Sequence, residues 1–179
     1  MGMIRKPLAE QLHKWTADGQ YGSLFDNVED NLTFARFQTF DFEGMDKYPQ
    51  VLEPLLFYIL HRANASIHDA SESTTSKWFV MDEAWRFFRN PTIRLYIVEA
   101  LKTWRKRNAA MILATQSGED LHETELLPII VESCPSKLFL ANPGMNRDWY
   151  RQTFHLNETE ADLISRLVPK QQILAKRPD

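Results

Sequence analysis

Apolar residues recur along this chain in helical and strand rhythms. Leu8, Leu12 and Trp15 share one side of a short amphipathic helix predicted over Pro7 to Trp15. Asp18-Gly19 and Tyr21-Gly22-Ser23 mark turns. The stretch Leu32 to Phe42 is aromatic, with Phe34, Phe37, Phe40 and Phe42, and predicts a strand near residues 33–41. Pro49 opens an apolar helix through Val51, Leu52, Leu55, Leu56, Tyr58, Ile59 and Leu60. Pro54 fits that helix only in its first turn, where the missing N–H costs little. Ile67 to Ser76 is polar and rich in Ser and Thr, which predicts a surface loop.

The second half alternates. Lys77 to Met81 reads as a short buried strand, followed by a helix from about Thr92 to Arg107. Ala109 to Thr115 is a second apolar strand, and Leu126 to Glu132 a helix. Lys137 to Ala141 is a strand stopped by Asn142-Pro143-Gly144. Asn157 with Glu160 makes a capping box for a helix to Leu167, and Gln171 to Lys176 is a last strand. The central strands are apolar throughout. That pattern predicts an α/β protein whose mainly parallel sheet is covered on both faces.

Composition narrows the setting. The 179 residues suit one domain, and 44% hydrophobic residues supply a core. A formal charge of −3 demands no nucleic acid, although it permits a local basic patch. A single cysteine, Cys134, makes an internal disulfide impossible and points to the cytoplasm. No apolar run reaches the roughly 20 residues of a membrane span. The start, Met1 to Lys6, carries neither a signal-peptide stretch nor a myristoylation pattern, since Lys6 stands where Ser or Thr is needed.

The candidate chemistry lies at two strand ends. Trp78-Phe79-Val80-Met81 runs into Asp82-Glu83, and carboxylates there sit where open α/β sheets bind ligands. An Asp in that place can hold magnesium through its water shell. A Glu beside it can orient the water that attacks a γ-phosphate. Taken alone, a strand ending in a polar turn explains the same residues equally well. Met111-Ile112-Leu113-Ala114 ends in Thr115-Gln116, and a parallel arrangement brings both ends to one edge. Gln116 there can bond a γ-phosphate and the attacking water; otherwise it caps a turn. Lys102, Arg105, Lys106 and Arg107 place four cations within six residues at a helix end. They suit a solvated helix terminus, a cationic finger toward a neighbouring subunit's nucleotide, or a nucleic-acid contact.

In order along the chain, Trp78 to Trp85 (WFVMDEAW), Leu101 to Ala109 (LKTWRKRNA) and Leu113 to Ser117 (LATQS) resemble the Walker B region, following helix and next strand of TrbE/CagE-type conjugative transfer ATPases. Trp15 to Gly22, Leu24 to Asn27 and Cys134 to Leu140 extend the resemblance over most of the chain. It implies a three-layer RecA-like P-loop NTPase sheet, mainly parallel and incomplete on its N-terminal side. Residues 1–179 would form the Walker B half of that ATPase domain. It further implies ATP and magnesium as cofactors, with Asp82 holding the metal through water and Asp82 and Thr115 contacting the nucleotide. Glu83, Gln116, Arg105 and Arg107 would be the catalytic set. The implied work is ATP hydrolysis that energises pilus assembly and conjugative transfer by a type IV secretion system. The implied partners are other secretion subunits in a hexameric, membrane-associated complex, cytoplasmic and peripheral to the inner membrane, without a transmembrane segment of the chain's own. DNA contact is permitted.

The phosphate-binding loop is missing from the pattern. It requires Gly-Lys followed by Ser or Thr, and none of the six glycines precedes Lys. The loop is expected before residue 1, the relatives' chain is expected to continue past Lys176-Arg177-Pro178-Asp179, and the 179 residues alone are expected to be inactive. Two other readings stand beside this one: a helicase-like nucleic-acid motor, and a non-catalytic assembly module. The five histidines are scattered; His122 and Glu125 could face one another, but two ligands make no zinc site. Cys134 reads as a small buried hydrophobe rather than a nucleophile.

Overall fold

The computed structural model describes residues 5–16, 18–29, 32–33 and 35–177. They divide into a unit ending at Leu56 and a second beginning at Phe57.

In the first unit, helix α1 spans Arg5–His13 and α2 is a single turn, Gly22–Phe25. Trp15 gathers Tyr21 and Phe25 at 5.1 and 5.0 Å between ring centroids. Gly19 closes the turn between them: a Cβ there would lie 2.0 Å from the His13 carbonyl oxygen, so no side chain fits. The strand expected near 33–41 is not formed among the described residues; Phe34 lies outside them. Aromatic β-propensity measures fit to a pleated, partly buried surface, and here Phe37 is 86% exposed with no described strand beside it.

Helix α3 runs from Pro49 to His68 and passes from one unit into the other. It continues past the expected loop start at Ile67, because Ile67 is a core residue. Pro54 lies in its second turn rather than its first.

The second unit holds the remaining elements. Strand β1 (Lys77–Met81) pairs in parallel with β2 (Ala109–Leu113), in a register from Lys77 opposite Ala109 to Met81 opposite Leu113. Helix α4 (Pro91–Thr103) makes the crossover. Asn90 caps it by accepting from the N–H groups of Thr92 and Ile93, and Pro91 occupies the first turn, where its ring is tolerated. The predicted helix to Arg107 is α-helical only to Thr103; Trp104–Arg107 tighten into a 3-10 turn. That turn ends at Asn108 in the left-handed region, a conformation Asn tolerates, and delivers the chain to β2.

One face of β1 and β2 is covered. Ile67, Ala100, Trp104 and Ala109 form a buried cluster with Phe79, Tyr96 and Met111 packed on it. Two polar bonds join the helices: the Trp104 indole N–H donates to the Asn64 side-chain oxygen at 2.8 Å, and the Tyr96 hydroxyl to the Leu60 carbonyl at 2.7 Å. Burial pushes the Tyr96 phenol up to about 12, which keeps it a donor. The opposite face is left open by the described residues, and Trp78 and Val80 are 70% and 61% exposed.

Helix α5 spans Leu127–Ser133. Strand β3 (Lys137–Leu140) pairs antiparallel with β4 (Ile173–Lys176) in a second two-stranded sheet. Helices α6 (Arg147–Phe154) and α7 (Glu158–Arg166) follow β3, and Phe139, Tyr150, Leu156, Ala161 and Ile164 are buried together there. Asn157 and Glu160 form the expected reciprocal capping box. The α/β class and a parallel pair are thus present, while a single sheet covered on both faces is not formed among the described residues. The described residues form two short sheets, one parallel and one antiparallel, and each leaves apolar side chains on its open face. An unbroken apolar run gives no sign of which face a given stretch of chain covers itself.

Candidate functional site

The parallel register carries both predicted strand ends to one edge. Beyond the last pair, the Ala114 N–H donates to the Met81 carbonyl at 2.8 Å and the Ala84 N–H to the Ala114 carbonyl at 3.0 Å. Asp82-Glu83 and Thr115-Gln116 therefore leave the sheet from stitched, adjacent ends.

Each side chain has a distinct setting. Asp82 is exposed, and its Oδ1 accepts the Glu83 N–H at 3.0 Å. Glu83 is half-buried and left-handed, at φ 49° and ψ 44°. Such a backbone is uncommon for a residue with a Cβ and persists where neighbours over-determine it. The Trp85 indole N–H donates to Glu83 Oε2 at 2.7 Å, and the Arg89 guanidinium lies 4.9 Å from the Trp85 ring centre. The Thr115 hydroxyl donates to the Ser117 carbonyl at 3.0 Å, while the Gln116 side chain is exposed.

Arg105 and Arg107 do not join this group. They precede Asn108, whose carbonyl accepts the Lys77 N–H at 3.0 Å. Lys77 and Ala109 begin the two strands, so the basic turn sits at the opposite edge, roughly 16 Å away along a five-residue strand. Both arginines are exposed.

The donor set bears on what the edge can hold. Among the described residues no three His, Cys, Asp or Glu side chains are grouped to hold a metal ion. A protein cage of the calcium or zinc kind is therefore not available there. One exposed carboxylate at a strand end does fit magnesium, which keeps most of its waters and needs one or two carboxylates besides phosphate oxygens. Asp82 is that carboxylate. Among the described residues, nothing at this edge supplies the amide-lined cradle and Lys that polyphosphate needs.

Three contributors to the site carried little sequence signal. Trp85 looks like a core aromatic until its indole is seen on Glu83. The buried hydroxyl of Tyr150 accepts the Gly118 N–H at 3.1 Å and so holds the chain just past Gln116. Gly118 itself leaves no room for a Cβ, which would meet Phe154 at 2.9 Å and Trp149 at 3.2 Å. The one sequence signal for this support is the amphipathic spacing of Trp149, Tyr150 and Phe154 behind the cap Asn146 of helix α6. Elsewhere, Glu125 pairs with Arg94 at 3.4 Å and His122 sits edge-on to Trp149. Burial raises the Cys134 thiol above its ordinary range, as expected of a side chain that packs rather than reacts.

No protein-family model matches the chain. Homologues named TrbE, VirB4 and CagE match it at 29–35% identity over most of its length. A probable conjugal transfer protein of the TrbE name from Sinorhizobium fredii is 35% identical, over 99% of this chain and 27% of that protein. The conjugal transfer protein TrbE of Rhizobium radiobacter is 32% identical, over 99% of this chain and 22% of that protein. The chain thus spans about a quarter of the length of these curated relatives. The structure of VirB4 of Thermoanaerobacter pseudethanolicus superposes with a TM-score of 0.69 at 21% identity, covering 97% of this chain and 49% of that one. The fold is shared with that protein.

Proposed function

We propose that this chain, a homologue of the TrbE, VirB4 and CagE proteins of conjugal transfer and type IV secretion, is the water- and metal-facing part of a motor ATPase that energises transfer. The single observation that carries the reading is the shared edge: parallel pairing sets Asp82-Glu83 beside Thr115-Gln116. A carboxylate for the metal, a carboxylate for the water and an amide for the γ-phosphate are what phosphoryl transfer to water asks of a protein.

Asp82 would hold magnesium, which when bound would supply charge neutralisation at the phosphate oxygens. Glu83 orients and polarises the attacking water. Gln116 bonds the γ-phosphate from the adjacent strand end, next to Thr115. The phosphate cradle comes from a segment outside these residues, and the open apolar faces of the two short sheets are where further strands would complete a three-layer RecA-like sheet. Arg105 and Arg107, on the far edge, reach a nucleotide only across a subunit boundary, so their catalytic role requires a ring such as a hexamer. The same exposed basic turn serves equally for contact with the DNA being moved. No helix among the described residues is long and apolar enough to cross a membrane. The reading places the protein at the cytoplasmic side of the inner membrane, docked to other secretion subunits.

The test is transfer itself. Donor cells carrying Glu83→Gln should lose plasmid transfer and should poison it when wild-type protein is co-expressed, as mixed rings stall. Transfer at wild-type frequency from the Glu83→Gln donor removes the reading.

A further inference from the structure

The backbone of Glu83 is pinned on both sides. Its N–H donates to Asp82 Oδ1 at 3.0 Å, and its carbonyl accepts from the Arg86 N–H at 3.0 Å. The next residue, Ala84, is buried and tied to Ala114 on the neighbouring strand end. With the backbone fixed in a left-handed conformation, the rotors of a long carboxylate side chain are the remaining freedom, and those rotors decide where the carboxylate stands.

Trp85 removes that freedom. Its indole N–H reaches Glu83 Oε2 at 2.7 Å, a short N–H···O bond. A residue two positions away can make this bond because the chain turns back immediately after β1, in the 3-10 turn Ala84–Arg89. The indole is itself held: the Arg89 guanidinium packs over its face, so donor and ring are fixed together. A rigid planar donor with one N–H suits this task better than a flexible one, since it offers a single direction.

We infer that Trp85 is a positioning residue for hydrolysis, its indole N–H holding Glu83 in the rotamer that faces the attacking water, with Arg89 bracing the ring from behind. This rests on the reading of Glu83 as the water-orienting carboxylate. A carboxylate misplaced by about 1 Å loses much of its effect on a reaction that depends on alignment. At metal centres, removal of an outer supporting bond typically costs about 10–100-fold in affinity or activity, and a loss of the same order is expected here.

Trp85→Phe keeps an aromatic ring under Arg89 and deletes the donor. In the full-length ATPase carrying this segment, it should lower kcat about 10–100-fold and leave the KM for ATP near its original value. The double variant Trp85→Phe/Glu83→Gln should be no slower than Glu83→Gln alone, because Trp85 acts only through Glu83. A purely structural role would instead give a further, additive loss. The contact is read separately in the 179-residue chain, labelled with ¹⁵N, where five tryptophans give five indole N–H signals. The signal lost in Trp85→Phe should move upfield in Glu83→Ala. An unmoved signal, an additive double variant, or unchanged kcat in Trp85→Phe overturns the inference while Glu83→Gln still slows the enzyme. If Glu83→Gln leaves kcat intact, the reading of the site falls and the inference goes with it.

Discussion

The backbone N–H of Gly118 donates to the hydroxyl oxygen of Tyr150 at 3.1 Å, across 32 residues of sequence. The bond is buried, and it fastens the chain just past Gln116 to helix α6. Tyr150→Phe should therefore leave an unpaired buried N–H and cost about 1–3 kcal/mol of stability. Gly118→Ala should cost about as much by overpacking, since Phe154 and Trp149 stand 2.9 and 3.2 Å from the new methyl within an aromatic cluster that cannot yield cheaply. Urea unfolding followed by fluorescence checks both; wild-type midpoints would show that the loop is not held there.

Glu160 accepts from Lys176 at 2.8 and 2.9 Å and from the Asn157 N–H at 2.8 Å. The Lys176 ammonium, then that backbone N–H, hold its carboxyl below the usual range. A depressed folded value means the stabilisation is present in full above the unfolded value, near 4.5, and is lost as pH falls through the folded one. Glu160→Gln should lower stability by about 0.2–1 kcal/mol at pH 7, and the gap should close as pH drops below 4.5. Melting curves at stepwise pH test this; a gap that widens on acidification contradicts it.

Arg105 and Arg107 stand at the edge opposite Glu83, so under the proposed reading any help to hydrolysis would cross between subunits. If one of them is a finger, its change to Ala in the full-length protein should cut ATPase activity by about 10³-fold or more and hardly change the melting temperature. Mixing that variant with Glu83→Gln subunits should restore part of the rate, because each supplies what the other lacks. Unchanged activity in both, with a loss of about 0.3–1 kcal/mol in stability, leaves the basic turn as a helix terminus or a DNA contact.

The site was legible in the sequence where it depended on strand order. Two apolar runs ending in Asp82-Glu83 and Thr115-Gln116, joined by one helix, dictate a parallel pair with both ends on one edge. Long-range partners were not legible: nothing near Gly118 announces Tyr150, and nothing near Trp104 announces Asn64. Side-chain direction was also hidden, since Trp85 follows Glu83 too closely for spacing to say that its indole turns back. The strand expected near 33–41 failed for a related reason. Propensity there described a surface waiting for a neighbour, and no neighbouring strand lies among the described residues.

Placing water and the γ-phosphate at the edge shared by Asp82-Glu83 and Gln116 is the proposal on which every assigned role depends. It is tested most directly by measuring ATP affinity and ATP turnover together on full-length protein with Glu83 and with Glu83→Gln. Nearly unchanged binding is expected, with turnover slower by about 10²–10⁴-fold, the contribution of a positioned general base. Lost ATP affinity with an unchanged rate per bound nucleotide would contradict it.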